Sequence, residues 1–360
     1  MNTMDITPTE TQRYSRHLLL PNFSSKEQEN LKRSRVLIIG AGGLGNPVAQ
    51  YLAAAGVGNI TLMDDDIIEL SNLPRQVLFA EQDLGQPKVS IMANKLRHLN
   101  SHVNIQALPI AFDQGNADEL CRNHDLVIDC CDHISSKYRI DDACRRNGRP
   151  LIFGAVSRFE GQVALFHGTA GIGYSDVYPQ SSLNGNIGNC ETLGVWGASA
   201  GIIGSIMASE AMQWLAFRKS TLDGRLLQAD LKNYTFHSFQ LKLQPEAAHA
   251  IRYHDFINEI DFAAFTALMK EPQFEVIDVR EHHEHDAFHL GGRCIPLNEL
   301  MMHSASPADQ TTMLLYCASG IRSYQAALLL AELGYKNIIT LRGGLEGIRH
   351  DSNGSFPSMT

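Results

Sequence analysis

The sequence predicts an α/β protein, with a mixed, mostly parallel sheet carrying helices on both faces and a second, smaller α/β domain behind it. Three observations predict this. Short apolar runs alternate with helical patterns from Val36 onward, which is how a parallel sheet and its covering helices are threaded. A glycine turn, Gly40, Gly42 and Gly45, joins the first apolar run to the first helical pattern. At 360 residues, 44% of them hydrophobic, the chain is long enough to fill two cores.

The elements follow in order. Val36 to Ile39 is a strand ending at Gly40, a helical pattern runs through Ala55, and Ile60 to Met63 is a second strand ending in acids. That is one βαβ unit. Leu126 to Ile128, Leu151 to Phe153 and Val163 to Phe166 extend the sheet, and a helix near Gly201 to Met212, charged only at Glu210, packs on it. The first domain covers 1–243. Gln244 to Asp255, polar and containing Pro245, reads as a linker. The second domain, 256–360, opens with a helix at Phe262 to Met269 and a strand at Phe274 to Val279. A strand at Met313 to Tyr316, a helix at Tyr324 to Leu333 and a strand at Ile338 to Leu341 complete it.

Bulk properties narrow the function. A net charge of −9 and a pI near 5.9 leave no basic footprint for nucleic acid or an anionic membrane. The first thirty residues show no secretion signal. Thr192 to Ser209 lacks charge over a membrane-spanning length, but its four glycines and its Ala and Ser residues make it a buried helix or a dimer face. Seven cysteines without a CxxC pair indicate neither a disulfide framework nor a zinc site, and fit a reducing cytoplasm.

The glycine turn follows a strand and opens a helix, with Asp64 where a ribose-binding acid belongs, so the domain reads as Rossmann-like. A dinucleotide fits that motif, as does any phosphate at a helix N-terminus. The downstream residues favour a triphosphate. Asp64 and Asp66 are followed by Asn72, Arg75 and Lys88, and cations of this kind offset the charge that grows when a carboxylate attacks phosphorus. Asp132, just past the strand Leu126 to Ile128, offers a hard oxygen to Mg²⁺.

With these residues in place, about Gln12 to Leu243 resembles the MoeB and ThiF family, bacterial relatives of the ubiquitin-activating enzymes. The likeness rests on Arg13-Tyr14-Ser15-Arg16-His17, Gly40-Ala41-Gly42-Gly43-Leu44-Gly45, Asp64-Asp65-Asp66, Ser71-Asn72-Leu73-Pro74-Arg75-Gln76, Gly85-Gln86-Pro87-Lys88 and Asp129-Cys130-Cys131-Asp132. It implies that Gly40, Gly42, Gly43, Gly45, Asp64, Asp66, Asn72, Arg75, Lys88 and Asp132 bind ATP and Mg²⁺. It further implies that Arg16 reaches the phosphates from the partner subunit of a homodimer. The implied substrate is the Gly-Gly terminus of a ubiquitin-like sulfur carrier of MoaD or ThiS type, activated as an acyl adenylate for molybdopterin or thiamine synthesis.

The sequence also departs from that family. Many members hold zinc with two CxxC pairs, whereas here Gly173 and Asp176 occupy the first pair's positions and no Cys lies between Cys190 and Cys294, so no zinc is predicted. His133 and Lys137 replace the Asn and Arg often found there and remain possible nucleotide contacts. Cys190 matches a cysteine that some relatives use in thioester or disulfide chemistry, a small buried residue being the alternative.

Cys317-Ala318-Ser319-Gly320-Ile321-Arg322-Ser323 follows a strand and precedes a helix, so backbone N–H groups and the helix dipole converge on the sulfur, and Arg322 adds a fixed cation. With Asp278-Val279-Arg280-Glu281 and Leu341-Arg342-Gly343-Gly344, this loop resembles the rhodanese family over about Asp261 to His350. The resemblance implies a persulfide on Cys317 and, as its sulfur donor, a cysteine desulfurase. Four residues separate Cys317 from Arg322, one fewer than in the phosphate-cradling loop of dual-specificity phosphatases of related fold. His282, His283, His285 and His289 read as a solvated helix face, and Cys130 and Cys131 as packing residues. The alternatives are a nicotinamide-dependent oxidoreductase and a nucleotide-binding scaffold without adenylation activity.

Overall fold

The computed structural model describes residues 6–167, 171–179, 194–242, 257–300 and 312–351. It holds two compact units, each with its own sheet. The first unit's strands are β1 (Arg35–Ile39), β2 (Asn59–Met63), β3 (Asn104–Leu108), β4 (Leu126–Asp129), β5 (Pro150–Ser157), β6 (Glu160–His167), β7 (Arg225–Asp230) and β8 (Thr235–Gln240). They align in the order β3-β2-β1-β4-β5-β6-β7-β8. Parallel pairing runs from β3 to β5 and antiparallel pairing from β5 to β8.

The parallel half behaves as its apolar runs require. Four of five residues in β1 and β2 and all four in β4 are buried, because helices cover both faces of a parallel sheet. The sequence reading missed β3, β7 and β8. At the sheet's margin Asn104–Leu108 buries only Ile105 fully, and every residue of β8 is exposed, so no continuous apolar run marks either strand.

The helices α1 (Pro8–Arg13), α2 (Ser15–Leu18) and α3 (Ser25–Arg33) precede β1, and α4 (Gly45–Ala55) follows it. Next come α5 (Lys88–Leu99), α6 (Ala117–Asn123), α7 (Ile134–Arg146), α8 (Tyr174–Val177) and α9 (Gly197–Phe217). The uncharged stretch of the sequence forms much of α9, which packs on α4, β5 and β6. Its fit depends on small residues. A Cβ on Gly204 would stand 2.4 Å from Pro47, and Met207 and Ile203 fill the spaces over Gly154 and Gly161. No helix among the described residues is long and apolar enough to cross a membrane.

The second unit is a five-stranded parallel sheet of β9 (Ile257–Ile260), β10 (Phe274–Asp278), β11 (Arg293–Cys294), β12 (Thr312–Tyr316) and β13 (Ile338–Leu341). Their order is β11-β10-β12-β13-β9. Its helices are α10 (Phe262–Leu268), α11 (His282–Ala287), α12 (Ile321–Glu332) and α13 (Gly344–Asp351). Phe265, Leu314, Tyr316, Leu341, Leu345 and Ile348 form a core cluster. The sequence reading lacked β9 and β11, the first half polar and the second only two residues long. The linker and Cys190 lie outside the described residues.

Candidate functional site

The candidate nucleotide site is built where β1, β2 and β4 end together, the place at which open α/β sheets bind ligands. Two of the glycines shape the turn. Gly40 has φ +100° and a Cβ there would stand 2.8 Å from the Cys130 carbonyl, while a Cβ on Gly45 would meet the Gly40 carbonyl oxygen at 2.0 Å. Gly42 differs, since its added Cβ would meet only the Gln76 amide, at 3.7 Å, and the turn therefore presents open backbone to a phosphate. Gly43 lies against Ala200 and Arg75.

Sequence reasoning missed Asn46, which is fully buried and holds this turn. Its Nδ2 donates to the carbonyls of Ala41 and Gly42, and its Oδ1 accepts the Leu78 N–H at 2.8 Å. A lone Asn in the first turn of an otherwise apolar helix was the available signal. It ties the glycine turn to the segment that carries Asn72 and Arg75. Asn72 is buried and accepts the Glu69 N–H, and Arg75 donates to the Ser71 carbonyl.

The charges gather around Lys88. Asp64, half-buried, accepts the N–H groups of Ala41 at 2.6 Å and Asp66 at 2.9 Å. Burial pushes its carboxyl up to about 6 and Asp66 adds to this, while Lys88 and the two N–H groups oppose it. Lys88 is buried and its Nζ stands 2.7 Å from exposed Asp66. Burial works against that ammonium, yet Asp64, Asp66 and Asp132 outweigh it and hold its pKa above the ordinary value. Asp132 is pulled the other way from Asp64. Its desolvation is overcome by His133, whose Nδ1 is 2.8 Å away, and by Lys88, so the carboxyl lies well below the usual range.

Asp132 thus stays ionised, half-exposed and beside a cation, a donor that fits a hard divalent ion. Asp64, Asp65 and Asp66 bring carboxylate oxygens within 4.8 Å of one another, the one such group of three metal-ligating side chains among the described residues. The structure separates the two departures at the end of β4. His133 stays exposed on Asp132, but Lys137 is buried, donating to Asp129 at 2.9 Å and to the Gly154 carbonyl at 3.0 Å, so it braces the sheet. Cys130 is buried as a packing residue, its thiol pushed up by burial. Arg16 stands exposed on α2 with no ion-pair partner among the described residues.

Where the resemblance puts the first CxxC pair, a Cβ on Gly173 would strike Asp141 and Arg145 at 2.5 and 2.6 Å. Asp176 accepts the Gly173 N–H and pairs with Arg145, and Asp141 accepts the N–H groups of Tyr174 and Ser175. The donors there already have partners.

In the second unit the sulfur loop forms where β12 ends and α12 begins. Cys317 is buried, and its Sγ accepts the N–H groups of Gly320 at 3.1 Å and Ser323 at 3.3 Å. Gly320 has φ +85°. The Gly343-Gly344 turn packs against the loop so closely that a Cβ on Gly344 would meet the Cys317 and Ala318 carbonyls at 2.5 and 2.4 Å. The expected cation is placed differently. Arg322 gives both terminal nitrogens to Glu284, at 2.5 and 2.7 Å, and neither to the sulfur. The histidine run is also only partly a solvated face. His282 and His283 are exposed, but His285 is half-buried, 2.9 Å from Asp278, and stacks on His289 with ring centroids 4.1 Å apart.

A glycine turn with open backbone, a buried, acid-surrounded lysine, and a cysteine cradled by backbone amides in a separate unit fit a two-site group-transfer protein. Residues 14–249 match the ThiF family and residues 261–351 the Rhodanese-like domain. The chain belongs to the ThiF family and carries a rhodanese-like domain.

It is 32% identical to the probable adenylyltransferase/sulfurtransferase MoeZ of Mycobacterium tuberculosis, over 93% of this chain and 92% of that protein. The sulfur carrier protein adenylyltransferase of Thermus thermophilus is 39% identical over 66% of this chain and 90% of its own. Mouse adenylyltransferase and sulfurtransferase MOCS3 is 42% identical over 64% of this chain and 50% of its own. Among solved structures, E. coli MccB aligns with a TM-score of 0.57 and 22% identity over 65% of this chain and 73% of its own, a likeness of fold.

Proposed function

We propose that this chain, like the relatives whose names say so, is an adenylyltransferase and sulfurtransferase acting on a sulfur carrier protein. The observation that carries the reading is Lys88, buried and held charged among Asp64, Asp66 and Asp132, with Asp64 in turn accepting the Ala41 N–H of the glycine turn. In the reading we adopt, a carboxylate oxygen of the carrier's terminal glycine attacks the α-phosphorus of ATP, the α–β bond breaks, and pyrophosphate leaves with the electron pair. Lys88, Arg75 and the glycine-turn amides offset the charge that grows there. Asp64 takes the ribose hydroxyls, and Asn72 orients the phosphates. Asp132 would hold Mg²⁺, which supplies neutralisation of the phosphates when bound.

The acyl adenylate then meets a persulfide on Cys317. Its outer sulfur bonds to the carbonyl carbon and AMP leaves, giving an acyl disulfide. A thiol, from Cys190 or an external reductant, attacks the Cys317 sulfur, and the carrier departs as a thiocarboxylate while the thiol and Cys317 are left as a disulfide. We assign the adenylation domain to 1–243, the linker to 244–255 and the sulfurtransferase domain to 256–360.

The same reading includes a homodimer in which Arg16 serves the partner's site, consistent with exposed Leu70, Val77 and Trp196. It also includes a cysteine desulfurase donor, a cytoplasmic setting, a carrier serving molybdopterin or thiamine synthesis, and no zinc, the Asp141, Arg145 and Asp176 network bracing that region instead. Family membership weighs against the nicotinamide reading, and the charged, unobstructed site against the scaffold. Pyrophosphate exchange into ATP tests the proposal. Exchange is expected only with a Gly-Gly-tailed carrier present, and exchange without one, or none with any carrier, contradicts it.

A further inference from the structure

The second unit contains a charged side chain that the sulfur chemistry described above does not use. Glu284 sits on α11, 38 residues before Arg322, and takes both of that residue's terminal nitrogens in a two-pronged ion pair. The pair is partly buried, with side chains 26% and 32% exposed, so water competes with it less than with a surface salt bridge. The Arg322 bond is the largest influence on the Glu284 carboxyl and holds it down at about 2.

Glu284 is itself held from behind. It accepts the Glu281 N–H at 3.0 Å, and the next residue, His285, is anchored to Asp278 at the end of β10. Asp278 also takes Arg280 through Nε and a terminal nitrogen. A chain of fixed groups therefore runs from the sheet through α11 to Arg322, which lies in the loop whose Gly320 and Ser323 amides face Sγ.

We infer that Glu284 is a positioning residue of the sulfur site: by clamping Arg322 it fixes the loop that aims the Gly320 and Ser323 N–H groups at the Cys317 sulfur, and it lowers the positive field there. This rests on the reading of Cys317 as the sulfur-carrying thiol. Glu284 bonds to Arg322 and the Glu281 N–H and not to the sulfur, and its effect passes through Arg322.

Sulfur transfer by the full-length protein from thiosulfate to cyanide provides the test. In this assay the Cys317 thiolate takes the outer sulfur and releases sulfite, and cyanide removes that sulfur as thiocyanate. Glu284→Gln is expected to lower kcat about tenfold with KM changed less, as the loss of an alignment and not of a binding contact. Combined with Arg322→Gln, it is expected to cost no more than Arg322→Gln alone, because the two act as one unit.

Losses that multiply in the double variant, or a Glu284→Gln variant with parental kcat, would each overturn the inference. Cys317→Ser run beside them separates the two levels of the argument. If it retains transfer, the reading of the sulfur site is at fault; if it is inactive while Glu284→Gln is unaffected, only the clamp is.

Discussion

In the eight-stranded unit the positive charge is a side chain, Lys88, buried and surrounded by acids. In the five-stranded unit backbone amides face the reactive sulfur, and the nearby guanidinium of Arg322 is already neutralised by Glu284. The difference follows the chemistry each unit is proposed to serve. Attack on a triphosphate builds charge on hard oxygens, which a full, fixed cation offsets well. A thiolate is a diffuse anion that needs only partial charges, and a full cation locked on it would make it a poorer nucleophile.

The sharpest way to break the comparison is to disable each unit alone. Cys317→Ser is expected to lower sulfur transfer to cyanide by about 10³-fold or more while leaving carrier-dependent pyrophosphate exchange at its parental rate. Lys88→Met is expected to do the reverse, lowering exchange by about 10²-fold or more with sulfur transfer to cyanide intact. If either variant lowers both activities alike, the two sites do not divide the work as described.

A smaller effect sharpens the electrostatic side. Asp64 has its carboxyl raised to about 6 from an ordinary 3.8, so in the free protein it takes up a proton as pH falls through about 6. Ribose hydroxyls need the ionised acceptor. The KM for ATP in the exchange reaction is therefore expected to rise about tenfold per pH unit below that point. An Asp64→Asn variant should start weaker and lose this added dependence. An identical pH profile in both proteins would remove Asp64 from nucleotide binding.

Much of this architecture was legible in the sequence because it is local. The glycine turn, the acids after β2 and the cysteine loop between β12 and α12 each lie within a few consecutive residues, where strand and helix periods and turn chemistry are readable. What escaped was set by partners distant in sequence. Arg322 reads as a cation for the sulfur until α11 delivers Glu284 from 38 residues away. His285 reads as solvated until β10 ends with Asp278 beside it, and Lys137 reads as a nucleotide contact until Asp129 takes it. The missed strands failed for a related reason. β8 is paired to β7 through its backbone yet exposed on both faces, so its side chains carry no burial pattern.

The central claim joins the two chemistries on one substrate, and the mass of the carrier after reaction tests it most directly. Full-length protein, ATP, magnesium, a persulfide donor and a Gly-Gly-tailed carrier are expected to give a carrier in which one terminal oxygen has been replaced by sulfur. That product should vanish when either ATP is omitted or Cys317 is changed to Ser. A carrier mass unchanged under the complete conditions, or a thiocarboxylate formed equally well without ATP, would contradict the account.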